Sequence, residues 1–129
     1  MPRSEAEQRN LDLVTRLFAE VLNPLDSTAV DRFIAPDYIQ HSRLAAPGRN
    51  GLKTFLDGAR AASPQAVHDV KRSFVDGDHV IVHYHVRRWP DDPGLAVIDI
   101  FRIDNGLIAE HWDVLQDVAT EGPNPNPIF

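Results

Sequence analysis

Near the start of the chain, apolar residues recur at three- and four-residue spacing: Leu11, Val14, Leu17, Phe18, Val21 and Leu22. That spacing gathers them into one stripe along a helix. Ser4-Glu5-Ala6-Glu7 has the S-x-x-E form of a capping box, and Asn23-Pro24 interrupts the stripe, so the first helix is bounded at both ends. Asp26-Ser27 caps a shorter second helix through Val30, Phe33 and Ile34, closed by Pro36, and Asp37–His41 reads as extended. After the turn-rich Pro47-Gly48-Arg49-Asn50-Gly51, residues Leu52, Phe55, Leu56 and Ala59 predict a third helix that ends before Pro64.

The second half changes period. Runs rich in Val, Ile, Phe, Tyr and Trp predict four strands, at Val67–Val75, His79–Trp89, Leu95–Ile103 and Leu107–Leu115. Asp76-Gly77-Asp78 and Asp104-Asn105-Gly106 are strong hairpin signals, because Gly and Asn tolerate the positive φ of tight turns. Helices followed by strands indicate an α+β domain whose helices pack on one face of an antiparallel meander. The segment 117–129, with Pro123, Pro125 and Pro127, is expected to be irregular.

Composition narrows the class of function. The 129 residues fit one domain, 43% hydrophobic and 25% charged, as in ordinary globular chains. With no cysteine, disulfides, thiolate metal clusters and a thiol nucleophile are excluded. A formal charge of −6 argues against nucleic acid, which requires clustered Lys and Arg. The charged N-terminal segment lacks the apolar run of a signal peptide or membrane span, so a cytoplasmic protein without a membrane partner is expected.

Four stretches carry a family resemblance: Tyr38-Ile39-Gln40-His41; Asp76-Gly77-Asp78; Val97-Ile98-Asp99-Ile100-Phe101-Arg102; and Asn105 through Asp113, with Glu110-His111-Trp112-Asp113 at its end. Together with the order of elements they resemble the SnoaL-like polyketide cyclase branch of the NTF2-like superfamily. The resemblance implies a cone of three N-terminal helices on a curved, four-stranded antiparallel meander, a cavity for a small molecule, and a homodimer. It does not fix the reaction, because this fold serves isomerases, dehydratases, cyclases and non-catalytic modules.

Asp99 is the first candidate for chemistry, a carboxylate among Val97, Ile98, Ile100 and Phe101 in a central strand. Desolvation raises a carboxyl's pKa toward the range useful to a general acid or base. The alternative is a structural ion pair with an arginine. In the SnoaL-like cyclases an aspartate at the position Asp99 matches acts as acid/base in aldol closure, with a histidine on the preceding strand. His83 and His85 share a strand face, and His85, placed across from Asp99, is the better match. A one-residue slip would turn both away.

A two-residue turn at Asn105-Gly106 pairs Ile103 with Ile108, Phe101 with Glu110 and Asp99 with Trp112, making Trp112 a wall beside Asp99. A three-residue turn would instead put His111 opposite Asp99. Tyr38 and Gln40 share a side of their extended segment and His41 takes the other or begins a turn; a Tyr or His there could hold a substrate carbonyl. Phe101, Glu110 and Trp112 join these three as candidate substrate contacts, with Gln116 at the cavity mouth. His68 and His79 read as surface residues near strand ends. Gly77 followed by His83-Tyr84-His85 partly matches the opening of the cupin metal motif, but Trp89 and Pro90 stand where it needs a glutamate, and no metal is expected.

The resulting expectation is cofactor-independent acid/base chemistry on a small hydrophobic or carbonyl-containing molecule, by aldol cyclisation, isomerisation or dehydration, with Asp99 as base and a histidine assisting. The competing expectation is a ligand-binding or dimerisation module of the same fold, without turnover.

Overall fold

A computed structural model describes residues 2–129. Helix α1 (Glu5–Leu17) starts at the expected capping box, with Ser4 Oγ accepting from the Glu7 amide and the Glu7 carboxylate from the Ser4 amide. Its last turn widens into a π-helical turn at Phe18–Leu22, closed by the Asn23 amide on the Phe18 carbonyl. The second expected helix is a 3₁₀ segment of six residues, Ser27–Arg32. It stops earlier than expected because Phe33 and Ile34 turn into a strand, β1 (Ile34–Gln40). Helix α2 (Gly48–Ala62) follows, and then β2 (Val67–Asp76), β3 (His79–Arg87), β4 (Leu95–Asp104) and β5 (Leu107–Asp117).

The sheet therefore has five strands, in the order β1-β5-β4-β3-β2. The expected four-stranded antiparallel meander is corrected at one edge, where β1 joins β5 in parallel and makes the sheet mixed. The strand takes in Asp37–Gln40 of the expected extended segment and adds Ile34–Pro36, where the second helix was expected to end. Its pairing partner is some seventy residues away, and no local pattern encodes such a contact. Both tight hairpins form where expected, with φ of 60° at Gly77 and of 50° and 74° at Asn105 and Gly106. The last two angles fit a turn with both central residues left-handed.

One face of the sheet is buried against the helices. Along β4, Val97, Asp99, Phe101 and Ile103 point inward while Ile98, Ile100 and Arg102 face out; along β3, Val80, Val82 and Tyr84 point inward. Of the inward residues, Val80, Val82, Tyr84, Val97, Phe101 and Ile103 form a single core with Val14, Leu17, Val21, Val30, Phe33, Leu56 and Ile108. Among the described residues no helix is long and apolar enough to cross a membrane.

Candidate active site

Between the inner sheet face and the helices lies a cavity of about 390 Å³, walled mostly by apolar side chains such as Leu17, Leu52, Phe55, Leu56, Val97 and Leu115. That volume lies within the range of small-molecule sites. Among the polar side chains of its wall, Tyr38, Gln40, Tyr84, Asp99 and His111 form one hydrogen-bonded group, and Asp113 follows two residues further along β5.

Asp99 is 3% exposed and is the hub of this group. The Tyr84 hydroxyl donates to its Oδ2 at 2.8 Å, and His111 Nε2 stands 2.9 Å from its Oδ1. On the other side of the imidazole, Nδ1 lies 2.7 Å from Gln40 Oε1. Gln40 Oε1 also accepts the Ser42 amide at 3.0 Å, and Gln40 Nε2 donates to the Tyr38 hydroxyl at 2.9 Å. The amide orientation of Gln40 is thus fixed by its neighbours, and His111 Nδ1 must carry the proton it shares with an oxygen. A lone pair on Nε2 facing a carboxylate at 2.9 Å would be repulsive, so a second proton lies between His111 and Asp99. A proton on that line makes the contact a path for proton transfer between His111 and Asp99. Burial pushes the Tyr38 and Tyr84 hydroxyls to higher pKa, and the charge of Asp99 adds to it, so both remain donors.

Two register features build this group, and both depart from expectation. Across β3 and β4, Asp99 pairs with Val82, and His85 pairs with Ala96. His83 and His85 therefore emerge on the outer face, where His85 Nε2 meets the Pro93 carbonyl at 2.6 Å, His83 contacts Arg72, and Phe129 packs over both rings. The expected placement of His85 across from Asp99 is corrected; Tyr84, between the two histidines, is the inward residue. Across β4 and β5, the two-residue turn pairs Ile103 with Ile108 as expected, but Arg102 then pairs with Glu110. Ala109 is the extra residue of a β-bulge, and Ile108 and Ala109 are both buried in succession. From that point the ladder is shifted by one: Phe101 faces His111, and Asp99 faces Asp113.

The bulge reassigns the remaining candidates. Tyr38, Gln40 and Phe101 line the cavity as expected. Trp112 does not wall it, since it stacks on the outer face with His41, rings 5.0 Å apart, and with His79. Glu110 also lies outside, accepting from Arg102 at 2.9 Å and paired with His41 Nε2 at 2.7 Å; the bonds from His41 and Arg102 hold its carboxyl below the usual range. His41 takes the opposite side from Tyr38 and Gln40, as the alternation predicts, and so is excluded from the cavity. Gln116 is exposed and absent from the wall.

His111, Tyr84, Asp113 and His68 are cavity residues that the sequence reading missed or ranked low. For Tyr84 a signal existed, because Val80, Val82 and Val86 alternate with it. The arginine partner weighed as the alternative for Asp99 is not found among the described residues; Arg88, which does line the cavity, is held by Asp92 at 2.7 Å instead. Asp99, His111 and Asp113 each bring a ligand atom within 4.8 Å of the others. Such a donor set suits a divalent cation in type. The 2.9 Å contact between Asp99 and His111 already satisfies two of the three, and a cation would have to break it.

Comparison with known proteins agrees with this architecture. A family model described as a SnoaL-like domain matches residues 14–111. A candidate SnoaL-like polyketide cyclase from Jannaschia sp. CCS1 superposes with a TM-score of 0.75 at 21% identity, over 89% of this chain and 90% of that one. A candidate polyketide cyclase from Acidithiobacillus ferrooxidans gives 0.68 at 21% identity, covering 89% and 91%. One from Sinorhizobium meliloti gives 0.68 at 26% identity, covering 80% and 94%. An NTF2-like protein of unknown function from Mesorhizobium loti also matches, at 0.71 and 19% identity over 89% and 97%. Among curated proteins none matches the chain in sequence.

Proposed function

Because the chain belongs to the SnoaL-like family, we propose that its cavity carries out acid/base chemistry on a small carbonyl compound, with Asp99 as the proton acceptor and His111 as its partner. One observation carries this reading: a buried carboxylate at the wall of an apolar cavity, held by a tyrosine and a histidine that can pass it a proton, with no arginine bonded to it among the described residues. A purely structural carboxylate has no need of a histidine that is itself oriented by a glutamine.

In the first step an Asp99 oxygen takes a proton from the carbon next to the substrate carbonyl. The C–H electron pair becomes the enolate, whose oxygen accepts a hydrogen bond from the Tyr38 hydroxyl. That hydroxyl already accepts from Gln40, so its own hydrogen is free to donate. In an aldol closure the enolate carbon then bonds to a second carbonyl carbon of the same molecule, and the new alkoxide takes the proton back from the Asp99–His111 pair. In an isomerisation the proton returns to a different carbon instead. Neither route consumes a cofactor.

The test is hydrogen–deuterium exchange at the α-carbon of 2-acetylnaphthalene in D2O, followed by NMR. Exchange accelerated by the wild-type protein and lost in Asp99→Asn supports the proposal. A probe that binds but exchanges no faster than in buffer makes the cavity a binding module instead.

A homodimer accompanies this reading. The outer sheet face exposes Phe74 (55%) and Val114 (67%) beside the partly covered Ile98, Ile100 and Trp112, an apolar surface suited to a second copy.

A further inference from the structure

His68 was expected at the surface, yet it lines the same cavity as Asp99, at the β2 side. Its backbone is fixed there: the His68 amide donates to Asn23 Oδ1 at 2.9 Å, and its strand pairing sets it across from Val86, another wall residue. Its ring lies 5.9 Å from that of Tyr84, the side chain whose hydroxyl reaches Asp99. Nδ1 of His68 is the one buried side-chain polar atom among the described residues that has no hydrogen-bond partner.

An unpartnered nitrogen in an apolar wall costs more as a donor than as an acceptor, because a buried N–H left unmade is the rarer and dearer defect. The ring proton therefore belongs on Nε2, the nitrogen that is not enclosed. Burial lowers the pKa of His68 despite the opposing influence of Asp99, which keeps the ring neutral near pH 7. The result is a neutral N–H donor on a ring that lines both this cavity and a neighbouring pocket between α1 and β2, with the Tyr84 ring 5.9 Å away.

We propose that His68 is a substrate-binding residue whose Nε2–H donates to a second oxygen of the ligand while the first carbonyl lies at Tyr38 and Asp99. This rests on the acid/base reading for the position of the first carbonyl, and it adds the substrate class. The cavity wall holds two carboxyl side chains, Asp99 and Asp113, and its arginine, Arg88, is already paired with Asp92. An anionic ligand would be repelled in such a low-dielectric space, whereas a neutral apolar molecule is accommodated. The fitting substrate is a neutral, largely apolar ketone carrying another oxygen acceptor, a carbonyl or an ether, at its far end.

Two measurements test the assignment. The first is the tautomer of His68 in the wild-type protein, read from its ring ¹⁵N shifts at pH 7. Protonation on Nε2 alone is expected, and protonation on Nδ1, or on both nitrogens, overturns the proposal. The second compares binding of 2-acetyl-6-methoxynaphthalene and 2-acetyl-6-ethylnaphthalene, in which a methylene replaces the ether oxygen. A single neutral hydrogen bond predicts about a 3- to 10-fold preference for the methoxy compound in the wild type. His68→Leu abolishes the preference and His68→Gln keeps part of it. The preference is read from binding and the acid/base reading from exchange alone, so the failure of one is distinguishable from the failure of the other. An unchanged preference in His68→Leu, or binding of neither probe to the wild type, overturns the proposal.

Discussion

Replacing Asp99 by asparagine and by leucine separates what the residue does for the fold from what it does for chemistry. In Asp99→Asn the amide oxygen can still accept from Tyr84, while the amide N–H donates to Nε2 of a neutral His111, whose Nδ1–H continues to donate to Gln40. Every buried polar group keeps a partner. The loss is limited to the charge assistance of the original bonds, about 1–2 kcal/mol. In Asp99→Leu the Tyr84 hydroxyl and His111 Nε2 lose their partners in an environment where Tyr84 is 7% and His111 9% exposed. Each orphaned group costs about 1–3 kcal/mol, a total of about 2–6 kcal/mol before the leucine's own burial offsets part of it. Against a domain stability of about 5–15 kcal/mol that is a large fraction. Urea denaturation followed by tryptophan fluorescence and circular dichroism measures both differences. Proton exchange on the ketone probe is expected to fall about 10²- to 10⁴-fold in either variant, the usual contribution of a general base. Equal stability losses in the two variants would refute the hydrogen-bond accounting. Undiminished exchange in the folded Asp99→Asn protein would refute the role of the carboxylate.

Other outcomes follow from the same structure. Gly94 has φ of 82°, and a Cβ there would sit 2.0 Å from the Val86 carbonyl oxygen; Gly94→Ala is expected to lose at least about 1–3 kcal/mol from backbone strain alone, read as a lowered Tm. His68 has its pKa lowered in the folded state, so below pH 6.5 the unfolded chain binds more protons than the native one and stability falls with pH through this group. The urea midpoint of His68→Gln should accordingly fall less steeply between pH 6.5 and 5 than that of the wild type. Tyr38→Phe removes the proposed enolate donor while leaving the Asp99–His111 contact intact; exchange should slow by more than probe affinity falls, and loss of affinity with unchanged rate would count against Tyr38. Val114→Lys places a charge on the outer sheet face, and light scattering should show a dimer in the wild type and a monomer in the variant.

The period of apolar residues was enough to place α1, α2 and strands β2 to β5, because a helix stripe and a strand alternation are local facts written into consecutive residues. The capping box at Ser4 and the turns at Gly77 and Asn105-Gly106 are local in the same sense. Asp99 was legible too, since a carboxylate flanked on both sides by large apolar residues in a strand is conspicuous. Its partners were not. Whether His85 or Tyr84 faces inward depends on which face of β3 is covered, and whether Trp112 or His111 does depends on the one extra residue at Ala109. A pleated strand reverses every side chain for a single-residue slip, and the energy that selects the slip comes from packing against other elements. β1 was seen as extended but not as a strand, because its hydrogen bonds go to β5, far along the chain. His68 looked peripheral in sequence, beside a strand end, and became a wall of the cavity only when the helices closed over the sheet. Sequence thus determined which residues could do chemistry and on which elements they lie; tertiary structure decided which of them meet, because side-chain direction in a sheet is set by register and register by long-range burial.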